Sequence, residues 1–180
     1  KELITSSSNL YFHKGDIRDK VFLNEVFKQA KNKNKPISGV IHFAGLKSVE
    51  ESMFNPFDYW DVNVNGTLNL LSVMKENDCK TIVFSSSATI YGTNGNLPIK
   101  ESSVLKSINP YGTTKIVVEK LLDDIFKSFS NEWRISSLRY FNPIGAHSSG
   151  HIGEDPRGKP QNIFPLIIQV AIGKIEKLQI

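Results

Sequence analysis

Tyr111 and Lys115 stand four residues apart in the stretch from Asn109 to Glu119. Pro110 suits the first turn of a helix, where its missing N–H is no loss, and Asn109 before it can cap. A helix that opens there puts both side chains on one face, about 6 Å apart along the axis. A free phenol ionises at about pH 10, and a neighbouring ammonium stabilises the phenolate. Roughly 3–4 kcal/mol of differential interaction brings such a tyrosine into the range of a general base near neutrality. The same pair on a solvated helix face would carry no chemistry, so the elements around it decide between the two.

Those elements alternate. Asn9 to Ile17 is a short aromatic run ending in Gly-Asp, as a strand entering a turn would, which leaves Asp16 at a strand's C-terminal end. Asp19 is a cap for a helix carrying Phe22, Leu23, Val26, Phe27 and Ala30, closed by Lys35-Pro36. Ser38 to Ala44 is a near-continuous apolar run of the kind found in covered parallel strands, and Gly45 ends it. From Pro56 to Asn77, helical spacing predicts one buried stripe of Phe57, Trp60, Val64, Leu68, Leu71 and Met74. Lys80 to Phe84 is a strand with Ser85-Ser86-Ser87 at its end, and Trp133 to Tyr140 is another that leaves through Phe141-Asn142-Pro143. The helix at Pro110 runs to about Phe129, and Asn162 opens a last one.

Strands alternating with helices predict an α/β fold with a parallel sheet of right-handed crossovers, whose ligands bind beyond the carboxyl ends of the strands. Asp16, Gly45-Leu46-Lys47, Ser85 to Thr89 and Phe141-Asn142 all fall at such ends. With 39% hydrophobic and 22% charged residues in 180, the chain has the make-up of a globular protein with one sizeable core. Its net charge of +4 is scattered among acids, which argues against a nucleic-acid partner. No stretch reaches the length of a membrane span, and Lys1 to Ile4 lacks the apolar core of a signal peptide. Cys79 is the single cysteine, so no disulfide within the chain or cysteine-based metal cluster is available; no metal constellation is visible, and a reducing, cytoplasmic setting is expected.

Five segments, in order, resemble the nucleotide-sugar epimerases of the extended short-chain dehydrogenase/reductase family: Gly15 to Arg18, His42 to Lys47, Phe84 to Gly92, Pro110 to Gly112 with Lys115, and Leu138 to His147. Gly153-Glu154-Asp155-Pro156 extends the match. The resemblance implies a Rossmann-type doubly wound parallel sheet, incomplete in this chain. Residues 1–142 would be part of an NAD-binding domain and 143–180 the start of a smaller substrate-binding domain. It implies NAD as a tightly held cofactor and interconversion of UDP-glucose and UDP-galactose through oxidation at C4. Tyr111 would take the proton from the 4-hydroxyl, Lys115 would bind the nicotinamide ribose and depress the phenol's pKa, and Ser87 would bridge to the sugar oxygen. Cofactor contacts are expected from Asp16, Ile17, Phe43, Ala44, Gly45, Leu46, Lys47, Asn63, Ser85, Tyr111, Lys115 and Phe141. Substrate contacts are expected from Lys47, Ser87, Ala88, Thr89, Tyr111, Asn142 and Asn162. The family also implies a homodimeric parent protein.

His42 is expected to pack within its strand, His147 and His151 to serve their loop, and Asn162 has an alternative role as a plain helix cap. Glu50, Val62 and Gln161 depart from the family pattern, and a Gly-x-x-Gly-x-x-Gly phosphate loop is not found. A fragment is therefore expected that, made alone, neither holds NAD firmly nor epimerises. In the strand order 3-2-1-4-5-6, the run near Tyr11 is third and those near Ile41, Val83 and Ile135 are fourth to sixth, which leaves a gap after the first of them. Two other readings stay open. A sugar-nucleotide dehydratase needs an extra acid and base beside the tyrosine, and Ala88-Thr89-Ile90 provide no carboxylate. A non-catalytic nucleotide-binding module would lack turnover altogether.

Overall fold

Two caps announced by the sequence, Asp19 and Asn109, open helices where they were expected. The computed structural model describes residues 9–93, 97–129, 132–154, 160 and 162–178. Gln161 and the Asp155-Pro156 part of the family motif lie outside the described residues, as do Lys1 to Ile4. Two compact units divide the chain, Lys1–Arg139 and Tyr140–Ile180.

In the first unit, the Asp19 carboxylate accepts from the Phe22 N–H at 2.9 Å and opens helix α1, Lys20–Asn32. Strand β1, Val40–His42, leads to a short helix α2, Val49–Phe54, capped by Ser48, whose hydroxyl accepts from the Glu51 N–H. Helix α3, Pro56–Tyr59, continues through a wide π turn, Trp60–Asn65, into α4, Gly66–Glu76. Strand β2, Thr81–Ser87, takes all three serines into the strand and passes into a 3-10 turn, Ala88–Tyr91. Helix α5, Pro110–Ser128, begins where Asn109 Oδ1 accepts from the Gly112 N–H at 2.8 Å. Strand β3, Arg134–Tyr140, follows.

The sheet has the order β1-β2-β3, with β1 and β2 parallel in the register Val40 to Ile82, Ile41 to Val83 and His42 to Phe84. Its core is built where α4 and α5 meet β2: Val73 and Met74, Val118 and Leu122, Ile82 and Phe84 are each at most 1% exposed. This is an α/β arrangement of Rossmann type, with an incomplete parallel sheet. Among the described residues no helix is long and apolar enough to cross a membrane.

Two expectations are corrected. The run around Tyr11 is not a strand: residues 10–16 make no ladder, and Leu10, Tyr11 and Phe12 are 46–68% exposed. A strand needs a partner edge, and among the described residues β1 pairs only with β2; Tyr11 instead packs under the Lys33 ammonium, 3.8 Å from its ring centroid. The gap therefore lies outside the three strands, which are contiguous. The buried stripe of the long helical region also differs. Leu71 and Met74 are buried, but Phe57 is 89% exposed, and Trp60 and Leu68 are exposed. The inward face is Tyr59, Asn63, Gly66 and Thr67, then Leu70 and Leu71. Its first half is largely polar, so hydrophobic spacing alone points to the wrong side.

Gly92, which closes the 3-10 turn, has φ +59° and ψ −141°, a region open to glycine. A Cβ there would stand 2.0 Å from the Lys106 carbonyl oxygen. The Gly92→Ala variant of the native gene product is expected to lose at least ~2 kcal/mol of stability. Denaturant unfolding checks this, and an unchanged midpoint with an unchanged slope rejects it.

Candidate active site

The C-terminal end of β2 is the platform. Alternation along the strand buries Ile82, Phe84 and Ser86, while Ser85 and Ser87 between them are half-buried. Over this end lies the first turn of α5, with Tyr111 at 9% and Lys115 at 6% exposure. Lys115 Nζ donates to the Ser85 carbonyl at 2.8 Å and sits 4.8 Å from the Phe84 ring centroid. Burial pulls its pKa down to about 8. An ammonium has three N–H donors, and this carbonyl is its one hydrogen-bond acceptor among the described residues. Two donors are left for a ligand with neighbouring oxygens.

Tyr111 is held from two sides. The Tyr59 ring of α3 meets it edge-on, 6.4 Å between centroids at 82°, and Tyr59, fully buried, donates its own hydroxyl to Glu51 at 3.1 Å. On the other side is Ser87. The Ser87 oxygen accepts from the Thr89 N–H at 3.3 Å and from the Thr89 hydroxyl at 3.0 Å, which uses both of its acceptor positions. Hydrogen bonding with Ser87 acts on the Tyr111 phenol in the direction of phenolate.

Burial is the larger influence on Tyr111 and raises its pKa above the ordinary phenol value, with the Ser87 bond opposing it. The expected depression by Lys115 is not present. The ammonium is turned to the Ser85 carbonyl, 5.7 Å from the Tyr111 ring centroid, and its own charge is disfavoured by the same burial.

Asn63, on the π turn, fastens the loop after β1 to α5. Its Oδ1 accepts from the Leu46 N–H at 2.8 Å, and its Nδ2 donates to the Leu46 carbonyl at 3.0 Å and the Thr114 hydroxyl at 3.2 Å. Thr114 in turn donates to the Tyr111 carbonyl at 2.6 Å. Gly45 has φ +156°, and a Cβ on it would come 2.9 Å from Asn63 Oδ1, so the clamp needs glycine there. Phe43, Ala44, Gly45 and Lys47 are left exposed at the end of β1, with Leu46 half-buried between them.

Behind the clamp, Thr67 donates to the Asn63 carbonyl at 2.5 Å, so His42 Nε2, 2.8 Å from Thr67 Oγ1, must be the protonated nitrogen. Burial, with Lys115 adding repulsion, holds His42 at about 4, a neutral core histidine as the sequence suggested.

Other expected site residues have contacts of their own. Asp16 is gripped by Arg18 at 2.7 Å, which also pairs with Asp61 at 2.9 Å; the Arg18 hydrogen bonds bring the exposed Asp16 carboxyl down to about 2. Ile17 packs so close to Gly66 that a Cβ there would meet it at 2.6 Å. In the second unit, Asn162 precedes helix α6, Ile163–Ala171, without a side-chain cap and donates instead to Glu154 at 3.1 Å. Phe141 and Asn142 are exposed, and His147 Nδ1 accepts from the Ser149 N–H at 3.2 Å, serving its loop. No group of three His, Cys, Asp or Glu side chains is placed to hold a metal among the described residues.

The protein family described as GDP-mannose 4,6 dehydratase matches residues 1–180, the whole chain. The chain belongs to that family. Within it, UDP-glucose 4-epimerase 2 of Oryza sativa subsp. japonica is 51% identical over 174 residues, 97% of this chain and 41% of the rice protein. The bifunctional UDP-glucose 4-epimerase and UDP-xylose 4-epimerase 1 of Pisum sativum is 50% identical, over 97% and 48%. The crystal structure of UDP-glucose 4-epimerase from Bifidobacterium longum in complex with NAD+ and UDP superposes with a TM-score of 0.85 at 45% identity, covering 99% of this chain and 51% of that one. The chain spans about half the length of the curated relatives it matches.

Buried Lys115 gives a pH signature. Its pKa is about 8 folded against 10.5 ordinarily, so between those values the unfolded chain binds more protons and stability rises with pH. The gain approaches roughly 3 kcal/mol across that window. Without cofactor, Lys115→Met should lack this rise. Unfolding midpoints taken from pH 8 to 10.5 check it, and parallel curves for the two proteins reject it.

Proposed function

We propose that this chain carries the catalytic portion of an NAD-dependent UDP-hexose 4-epimerase that interconverts UDP-glucose and UDP-galactose. What supports the reading most is the Ser87–Tyr111–Lys115 arrangement: a buried phenol whose ionisation the Ser87 hydroxyl favours, and a buried ammonium with two unused donors. The relatives of about half identity bear the name of that activity, and the Bifidobacterium longum relative was solved with NAD+ and UDP.

The chemistry that NAD supplies when bound is uptake and return of one hydride at C4. Tyr111, as phenolate, takes the proton from the 4-hydroxyl and gives it back after the 4-keto sugar has presented its other face. Ser87 donates to the Tyr111 oxygen and stabilises its charged form. Lys115 holds the nicotinamide ribose through its two free N–H groups. The Phe43–Lys47 loop, fastened by Asn63, lines the cofactor with Ser85, while Asp16 and Ile17 flank its adenine end and Phe141 adds a further contact. Ala88, Thr89, Lys47, Asn142 and Asn162 face the UDP-sugar. Residues 1–142 serve as part of the NAD-binding domain and 143–180 as the start of the substrate-binding domain. We also assign the working protein to the cytoplasm as a homodimer, with nucleotide sugars rather than nucleic acid or a membrane as its partners.

The family description names a dehydratase, whose reaction needs a further acid and base to expel water. The residues after Ser87, Ala88-Thr89-Ile90, supply neither, so epimerisation is favoured. In the native gene product, Tyr111→Phe keeps the ring and removes the acid/base group. Turnover of UDP-galactose is expected to fall by orders of magnitude with NAD still bound. Assay of activity and bound cofactor decides, and near-normal turnover refutes the assignment.

A further inference from the structure

Glu119 completes a stripe on α5. It follows Tyr111 and Lys115 at four-residue intervals, so all three side chains lie on one face. Each meets a different residue of the Ser85-Ser86-Ser87 run. Ser87 bonds the Tyr111 oxygen, Lys115 donates to the Ser85 carbonyl at 2.8 Å, and the Ser86 hydroxyl donates to Glu119 Oε1 at 2.5 Å. The first two contacts take part in the reaction proposed above; the third does not.

That third contact is heavily braced. Arg139 of β3 grips Glu119 with both arms of its fork, Nε to Oε1 at 3.0 Å and Nη2 to Oε2 at 2.7 Å. Its remaining Nη1 donates to the Tyr91 hydroxyl and the Glu101 carbonyl, each at 2.7 Å. Ser86 is 3% exposed, and the Glu119 and Arg139 side chains are 11% and 22% exposed. A buried ion pair gives little stability that well-packed apolar residues would not. What it gives instead is direction: apolar packing of the kind Val118 and Ile82 take part in tolerates sliding, whereas hydrogen bonds weaken steeply with length and angle. Ser86 lies between the two reactive positions of the strand, and fixing it against Glu119 fixes both.

We propose that Glu119, braced by Arg139 and bonded to Ser86, is a positioning residue that sets the register of α5 on β2 and thereby the alignment of Tyr111 with Ser87. Its kinetic consequence rests on the epimerase reading. The titratable groups around Tyr111 are Lys115 on its own helix, Tyr59 of α3 with Glu51 of α2 behind it, and neutral His42 of β1 beyond Phe84.

The test uses the native gene product with Ser86→Ala, which removes one hydroxyl and leaves the ion pair, Ser86→Thr, which restores it, and Glu119→Gln. The Tyr111 phenol is titrated by NMR of ring-labelled tyrosine, assigned through Tyr111→Phe, alongside the pH dependence of UDP-galactose turnover. In Ser86→Ala and Glu119→Gln the Tyr111 titration and the acid limb of kcat/KM should both move to higher pH. The kcat should fall about 10- to 100-fold, with UDP affinity unchanged. Ser86→Thr should recover all three. A folded Ser86→Ala protein whose Tyr111 titration and kcat match the wild type overturns the proposal. If Glu119→Gln does not fold, Ser86→Ala decides alone. If the wild type does not turn over UDP-galactose, the epimerase reading fails by itself, and the NMR titration still decides the register.

Discussion

The buried ammonium of Lys115 is the constraint around which the first unit is arranged. Taking a charge out of water without an ionised partner is costly, and here the compensation is a single backbone carbonyl and the face of Phe84. That cost is borne on the end of β2 where the strand's serines begin, and the Lys115 pKa near 8 is the measure of it. Such a cation is under tension toward any ligand that offers oxygen acceptors, because binding there supplies the hydrogen bonds that water would have supplied. A solvated lysine has no such deficit.

Polar side chains cluster at the same end of the core. Below it, Val73, Met74, Ile82, Val118 and Leu122 pack without a polar atom; above it, Asn63, Thr67, Thr114 and Ser86 replace them, all at most 3% exposed. Among the described residues no buried side-chain nitrogen or oxygen lacks a partner. Completed networks of this kind are rigid, since each member has its donors and acceptors assigned. Thr67 shows how: its one proton goes to the Asn63 carbonyl, which obliges His42 Nε2 to donate to it, while burial and the nearby Lys115 keep the imidazole neutral. The loop after β1, the π turn and the first turn of α5 are thus one connected piece.

Where local chemistry decides a feature, the sequence announces it. Asn109-Pro110 marks the start of α5 and Asp19 that of α1 because capping is a matter of two or three neighbouring residues. The identities of Tyr111, Lys115, Ser87 and Gly45 were legible for the same reason, through motifs that are contiguous. Features that depend on distant partners were not. The run at Tyr11 has strand composition, but among the described residues no strand pairs with it. The inward face of the Pro56–Glu76 region is hidden by Asn63, Gly66 and Thr67, which look like surface residues until their partners at Leu46, Thr114 and His42 are known. The six-residue helix α2 was too short for the single Val49–Met53 spacing to reveal it. The sign of the Tyr111 shift depends on how deeply the ring is buried and on where Lys115 turns, neither of which spacing records.

Glu119 bears on why Lys115 keeps its charge unpaired. A glutamate four residues after a lysine on a helix is placed to pair with it, and such a pair would occupy the ammonium's free donors. Arg139 prevents this. Its planar fork matches a carboxylate at two points, which a lysine cannot do, and Ser86 adds a third bond to the same group. With its oxygens occupied on the far side, Glu119 lends its position to the helix and not its charge to the site. The bidentate pair and the unpaired cation are therefore two halves of one arrangement: the first absorbs the carboxylate that would otherwise silence the second.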